Sequence, residues 1–161
     1  MAIKDSGSRT EFESGAVRDI QKGKGRCDLL PLEVLFALPF EEDEEARRKL
    51  TILDMISLFK DSGDIERLGD IIAVFLLVRE WKFSTMLLEV SIHFEEGAEK
   101  YGENNWQKGL PAKCYINSAV RHFLKYLRGD NDERHDRAFV WNILCCMWTC
   151  IHYPELNDYK K

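Results

Sequence analysis

Apolar residues recur along most of this chain at intervals of three and four, the spacing that lines one face of a helix. Residues 1–26 are the exception: they are polar, show no sustained apolar period and read as a mobile N-terminal arm. Leu29, Leu30, Leu32, Val34, Leu35, Phe36 and Leu38 then form an apolar patch interrupted by Pro31 and ended by Pro39, which predicts a short helix starting near the first proline. Glu41 to Glu45 precede Arg47, Arg48 and Lys49, acids before bases, as a helix dipole favours. Leu50, Leu53, Ile56, Leu58 and Phe59 continue that helix to the turn signal Asp61-Ser62-Gly63-Asp64. Leu68 to Val78 is too long an apolar run for a strand and predicts a buried helix.

Leu87 to Lys100 predicts a further helix, stopped at Tyr101-Gly102 and followed by a loop through Asn104-Asn105 to Pro111. From Ala112 to Arg128 the pattern is amphipathic, with Val120, Phe123, Leu124 and Leu127 on one face. Gly129 ends it, and Asp130, Asn131 and Asp132 offer N-caps for a last helix to about Ile151. Phe139, Val140, Ile143, Leu144, Met147 and Ile151 make that helix apolar nearly all round, so it belongs at the centre of a bundle or in a subunit interface. No period-two alternation, hairpin turn or internal repeat competes, and the fold class is all-α.

Composition agrees with a single domain that can bury a real core: the 161 residues are 45% hydrophobic and 32% charged. A net charge of -5 argues against a nucleic-acid polymer as partner but leaves free nucleotides open, because a metal and a few local cations can hold a triphosphate on an acidic protein. The odd count of five cysteines, the absence of an apolar leader and the lack of a membrane-length apolar stretch point to a reducing cytoplasm, with no membrane partner. Cys145, Cys146, Cys150 and His152 raise the question of zinc, but their segment is apolar on every side, and buried thiols are the simpler reading.

Two carboxylate pairs carry the chemistry. Glu96 and Glu99 stand three apart on one predicted helix, and Glu133 and Asp136 do so on another. Facing each other, they would make an oxygen-rich socket suited to Mg²⁺ or Mn²⁺. Arg121, Lys125 and Arg128 fall at i, i+4 and i+7 between them, beside His122, a basic stripe suited either to phosphate oxygens or to the local acids. Lys100, Lys24 and Arg26 add charge. Glu95 is a candidate for the base that orients water, or else an exposed helix acid. Walker-type and nucleophile-elbow motifs are absent.

The stretch Gly15-Ala16-Val17-Arg18-Asp19 and then Gly23-Lys24-Gly25-Arg26-Cys27-Asp28-Leu29-Leu30-Pro31 resembles the opening of a phage-type dATP/dGTP diphosphohydrolase family. Gly97-Ala98-Glu99-Lys100-Tyr101-Gly102, Asn105-Trp106-Gln107-Lys108-Gly109, Arg121-His122, and Glu133-Arg134-His135 leading to Trp141-Asn142 follow in the same order. The resemblance covers about residues 15–38 and 90–150 and implies a branch of the all-α MazG-like superfamily. It further implies Mg²⁺ on Glu95, Glu96, Glu99, Glu133 and Asp136, and cleavage of purine deoxynucleoside triphosphates between the α and β phosphates. A homodimer or dimer of dimers, and the host cytoplasm for a phage-encoded protein, follow from the same likeness. Lys24, Arg26 and Asp28 would belong to an arm closing over the nucleotide, Asn105 and Trp106 would lie near base or sugar, and His135 and Asn142 would complete the substrate contacts. Trp106 as a core anchor and Asn142 as a helix-bridging amide are the alternatives. Residues 40–85 stand as an inserted helical segment within a domain spanning 27–161.

Two rival readings remain. An HD-type triphosphohydrolase would use His122, His135-Asp136 and Asp158 on a transition metal, releasing tripolyphosphate. A non-enzymatic helical interaction module would leave the acids as surface decoration.

Overall fold

Why the chain divides where it does is visible in a computed structural model that describes residues 7–37 and 44–160. Five helices form: α1 (Glu44–Ser62), α2 (Glu66–Arg79), α3 (Phe83–Tyr101), α4 (Ala112–Arg128) and α5 (His135–His152). Together with the short strands below they make an all-α bundle, as the periodicity predicts. The expected ends at Leu38, Pro39 and Glu41–Asp43 lie outside the described residues. The patch around Pro31 becomes two 3-10 turns, Cys27–Leu29 and Leu32–Ala37.

From residue 7 onward the polar arm has a defined course. Residues Arg9–Glu11 (β1) and Val17–Asp19 (β2) pair antiparallel, with Arg9 opposite Asp19 and Glu11 opposite Val17. Three-residue strands are too short to show a period of two, so the sequence pattern does not reveal them. Their anchors are side chains of the bundle: the Asn105 amide accepts from Val17 N–H at 3.0 Å and donates to Val17 C=O at 2.9 Å. Ser14 Oγ donates to Gly109 C=O, and Asn117 Oδ1 accepts from Cys27 N–H at 2.8 Å. Ala16 is fully buried as a result.

The core lies between α4 and α5, with α2 laid across them. Phe75 of α2 meets Phe123 of α4 at 6.2 Å and Phe139 of α5 at 4.7 Å between ring centres, and the two partner rings stand 5.1 Å apart. α5 is buried along most of its length, including Phe139, Val140, Ile143, Cys145, Cys146 and Cys150, which places it at the centre of the bundle. The buried face of α4 is Tyr115, Ile116, Ala119, Val120 and Phe123. Leu124 and Leu127, expected on that face, are exposed, and Tyr126 packs against Phe75 at this end of the helix. The acids of the α4–α5 turn do not cap α5: Asp130 pairs with Arg128, and Asp132 accepts from His135. Among the described residues no helix is long and apolar enough to cross a membrane.

Candidate functional site

A cavity of about 720 Å³ opens between β2, α3, α4 and the start of α5. Its aromatic wall is Phe94, Trp106, Tyr115 and Trp141. Trp106 stands edge-on to Phe94 at 5.2 Å and to Trp148 at 5.0 Å, which fixes its ring between α3 and α5. Among the α3 residues lining the space, Phe94, Gly97, Ala98 and Tyr101 follow i, i+3, i+4 and i+7 and make one helical face, with His93 and Glu95 at its margins.

Two guanidiniums dominate the opposite side. Arg18 reaches in from β2, donates to Asn142 Oδ1 and lies over the rings of Tyr115 and Trp141 at 5.4 and 5.9 Å. Arg121 of α4 donates to Ser118 Oγ at 3.1 Å and Gln21 Oε1 at 3.4 Å. Among the described residues neither has a carboxylate partner. Burial lowers the Arg121 pKa, and the Arg18 charge lowers it further. Arg18 Nη1 and Trp141 Nε1 are also buried without any hydrogen-bond partner. An unpaired buried donor costs about 1–3 kcal/mol, and an anion brought to the arginines would relieve their mutual repulsion. The remaining lining cations are matched: Lys24 lies 3.5 Å from Asp19, and Lys125 lies 3.4 Å from Asp132. Burial opposes the Asp19 carboxylate, yet hydrogen bonding and charge from Lys100 hold its pKa below the usual value.

Asp19, Glu95, Glu103, Asp132 and Glu133 supply the acidic lining. Beside Glu133, His122 and His135 turn their Nδ1 atoms toward each other at 3.0 Å. Glu133 Oε1 lies 3.4 Å from the first and 3.5 Å from the second. These three residues form one of two groups among the described residues whose ligand atoms are close enough to hold a metal ion; the other is Asp130, Asp132 and His135. Burial, followed by the charges of Arg121 and His135, pushes the His122 pKa well below that of a free imidazole. His93, on the cavity wall, is held at about 4, chiefly by burial and then by Arg137 and Arg18.

A family model described as dATP/dGTP diphosphohydrolase, N-terminal, matches residues 71–159, more than half of the chain. The chain belongs to this family. The match takes in the later part of α2 and all of α3, α4 and α5, so it carries every wall of the cavity except the hairpin and the loop after it. No curated protein and no solved structure matches.

The family's expected carboxylates are only partly brought together. Glu95 and Glu133 line the cavity. Glu96 and Glu99 do not, because they lie on the side of α3 turned away from the face that Phe94, Gly97, Ala98 and Tyr101 present; Glu96 lies 3.8 Å from His93. Asp136 is buried in a different cluster, accepting from Arg79 at 3.1 Å and from Arg134 at 2.9 and 3.0 Å. An oxygen socket built from Glu96, Glu99, Glu133 and Asp136 therefore does not fit this arrangement, and Glu133 instead keeps company with two imidazoles. An HD-type set is not gathered either: His122 and His135 meet, but Asp136 is held by the two arginines, and Asp158 accepts from Lys113 N–H at the other end of α4.

Of the expected substrate contacts, Lys24, Asn105, Trp106, Arg121, His122, Lys125 and Asn142 line the cavity. Lys100 is turned to Asp19 at 3.0 Å. Arg26 and Asp28 are paired with each other, away from the lining. His135 stands behind His122, almost fully buried. Asn142 bridges α5 to the hairpin through Arg18, and its own Nδ2 donates to Ala138 C=O at 2.7 Å. Arg18, Gln21, Tyr115 and Trp141 are cavity residues that the sequence alone did not single out. For Arg18 and Trp141 a signal existed, since one sits inside the Gly15-Ala16-Val17-Arg18-Asp19 motif and the other in the Trp141-Asn142 pair.

Proposed function

We propose that this chain hydrolyses purine deoxynucleoside triphosphates, dATP or dGTP, to the monophosphate and pyrophosphate. The observation that carries the reading is the pair Arg18 and Arg121, two half-buried guanidiniums that among the described residues have no carboxylate partner, beside a cavity with an aromatic wall. Planar, permanently charged guanidinium is the side chain best suited to phosphate oxygens, and Phe94, Trp106, Tyr115 and Trp141 offer flat surfaces for a purine. Lys24 and Lys125 extend the positive side.

Mg²⁺ or Mn²⁺, held with the nucleotide beside the lining carboxylates, would offset part of the triphosphate charge. In the hydrolysis, water oxygen bonds to the α phosphorus, the bridge from the α phosphorus to the β phosphate breaks, and pyrophosphate leaves with the electron pair. Glu95, exposed on the cavity wall, is suited to orient that water and accept its proton, while the arginines take up charge on the departing phosphates. We also propose self-association through α3, where Phe83, Leu87, Leu88 and Ile92 leave a run of exposed apolar side chains.

The test is incubation of the protein with each common ribo- and deoxynucleoside triphosphate and Mg²⁺ or Mn²⁺, with chromatography of the products. Monophosphate plus pyrophosphate from dATP or dGTP is the expected result. Tripolyphosphate would assign triphosphohydrolase chemistry instead, and no consumption of any triphosphate would reject the enzymatic reading.

A further inference from the structure

We infer that His122 Nδ1, His135 Nδ1 and Glu133 Oε1 form a resident binding site for one divalent transition-metal ion, distinct from the Mg²⁺ or Mn²⁺ that accompanies the nucleotide. The three ligand atoms come from the third turn of α4, the α4–α5 turn and the first residue of α5, and they converge at 3.0, 3.4 and 3.5 Å from one another. Ligands bound at about 2.0–2.1 Å around one ion stand about 2.8–3.4 Å apart, the lower figure for right-angle and the upper for tetrahedral neighbours. The triangle therefore has nearly the size an ion would impose.

The surroundings agree with that role. Asp132 Oδ1 lies 2.7 Å from His135 Nε2, so Nε2 carries the proton and Nδ1 presents its lone pair to His122 and Glu133. A carboxylate behind a ligating imidazole is the usual support of a metal-bound histidine. Without a cation, that lone pair faces the Glu133 carboxylate, and a single proton from His122 Nδ1 must serve both. Side-chain exposures of 1% for His135, 14% for His122 and 13% for Glu133 set this cluster apart from a solvated acidic patch. The overlapping group that includes Asp130 is the weaker candidate, because Asp130 is already engaged by the Arg128 guanidinium.

Two imidazoles and one carboxylate favour Mn²⁺, Fe²⁺, Co²⁺ or Zn²⁺ over Mg²⁺, which prefers oxygen alone. His122 and Glu133 also line the cavity, so the open coordination positions of such an ion face the space assigned to the nucleotide. The site itself does not depend on that assignment.

The experiment is a Co²⁺ titration of chelator-treated protein without nucleotide, read by visible d–d absorption, with metal-induced shifts in Tm as a second readout. Expected are saturation at one ion per chain, no intense near-ultraviolet thiolate band, and no competition from equimolar Mg²⁺. His122→Ala and His135→Ala should abolish the spectrum, and His152→Ala, which removes an exposed histidine elsewhere, should leave it. Asp132→Asn keeps all three ligands and should weaken binding about 10–100-fold; it guards against a simple folding defect in the ligand variants. Absence of saturable Co²⁺ binding, its survival in His122→Ala, or equal displacement by Mg²⁺ would overturn the inference. Any of these results alongside intact dATP or dGTP hydrolysis would leave the proposed activity standing, and Co²⁺ binding without hydrolysis would do the reverse.

Discussion

Arg18 and Arg121 reach the same cavity from positions 103 residues apart, and among the described residues neither forms an ion pair with a carboxylate. Replacing either by Gln removes charge-assisted hydrogen bonds worth about 1.5–3 kcal/mol each, so KM for the nucleotide should rise about 10–100-fold in steady-state kinetics. Arg18→Lys should recover only part of this, because an ammonium cannot offer two parallel donors or stack flat on Tyr115 and Trp141. His93 makes a second, independent prediction. Its folded pKa of about 4 lies below the unfolded value, so the unfolded chain takes up the proton first as pH falls. Stability should be full above about pH 6.5 and decline toward pH 4, with His93 contributing up to about 3 kcal/mol of the loss. Thermal melts across this range should show the decline, and His93→Gln should flatten it. Asp136 acts lower on the scale. Burial opposes its charge, but Arg134 and Arg79 overcome this and depress its pKa, so its contribution is lost only as pH falls through that depressed value. Asp136→Asn should lower Tm while leaving the cavity's ligands in place.

The hairpin is the element on which the phosphate side depends, and it hangs on side-chain amides where a larger sheet would give it backbone ladders. Asn105→Ala removes both hydrogen bonds to Val17, so it should release Arg18 and raise KM more than it changes kcat, while the Val17 amide exchanges faster in hydrogen-exchange experiments. The helices were legible from sequence because burial imposes a period: Ala112–Arg128 is read to the residue, and α5 is read as central from its apolar girth. Two things were not. Three-residue strands carry no period, so the polar arm concealed its pairing. The i, i+3 spacing of Glu96–Glu99 and Glu133–Asp136 fixes which residues share a helical face but says nothing of where that face points. Asp136 turned to Arg79, a residue 57 positions away that no local pattern links to it. The HD-type reading places His122 and His135 on one metal together with Asp136 and Asp158; the two imidazoles do meet, but which carboxylate joins them depends on how α4 folds back at Gly129, which a linear spacing of 13 does not disclose.

At the scale of the whole molecule, α3 presents Phe83, Leu87, Leu88 and Ile92 to solvent, with Leu77 of α2 also exposed. Leu88, 71% exposed, should tolerate Leu88→Glu without loss of fold, and sedimentation velocity should then report a smaller species than the parent protein. An unchanged distribution would remove α3 from the interface. The bond between Arg18 and Asn142 spans 124 positions, about three quarters of the 161-residue chain. Helical pairs such as α1–α2 close on their neighbours early, whereas a contact of that range must wait until almost everything between its ends has been ordered. The anion-binding side is thus completed late in folding: after dilution from denaturant, helical signal should return before the capacity to retain a nucleotide. During synthesis, the same order would leave a half-made chain already helical while the site proposed for triphosphate still lacks one of its two walls.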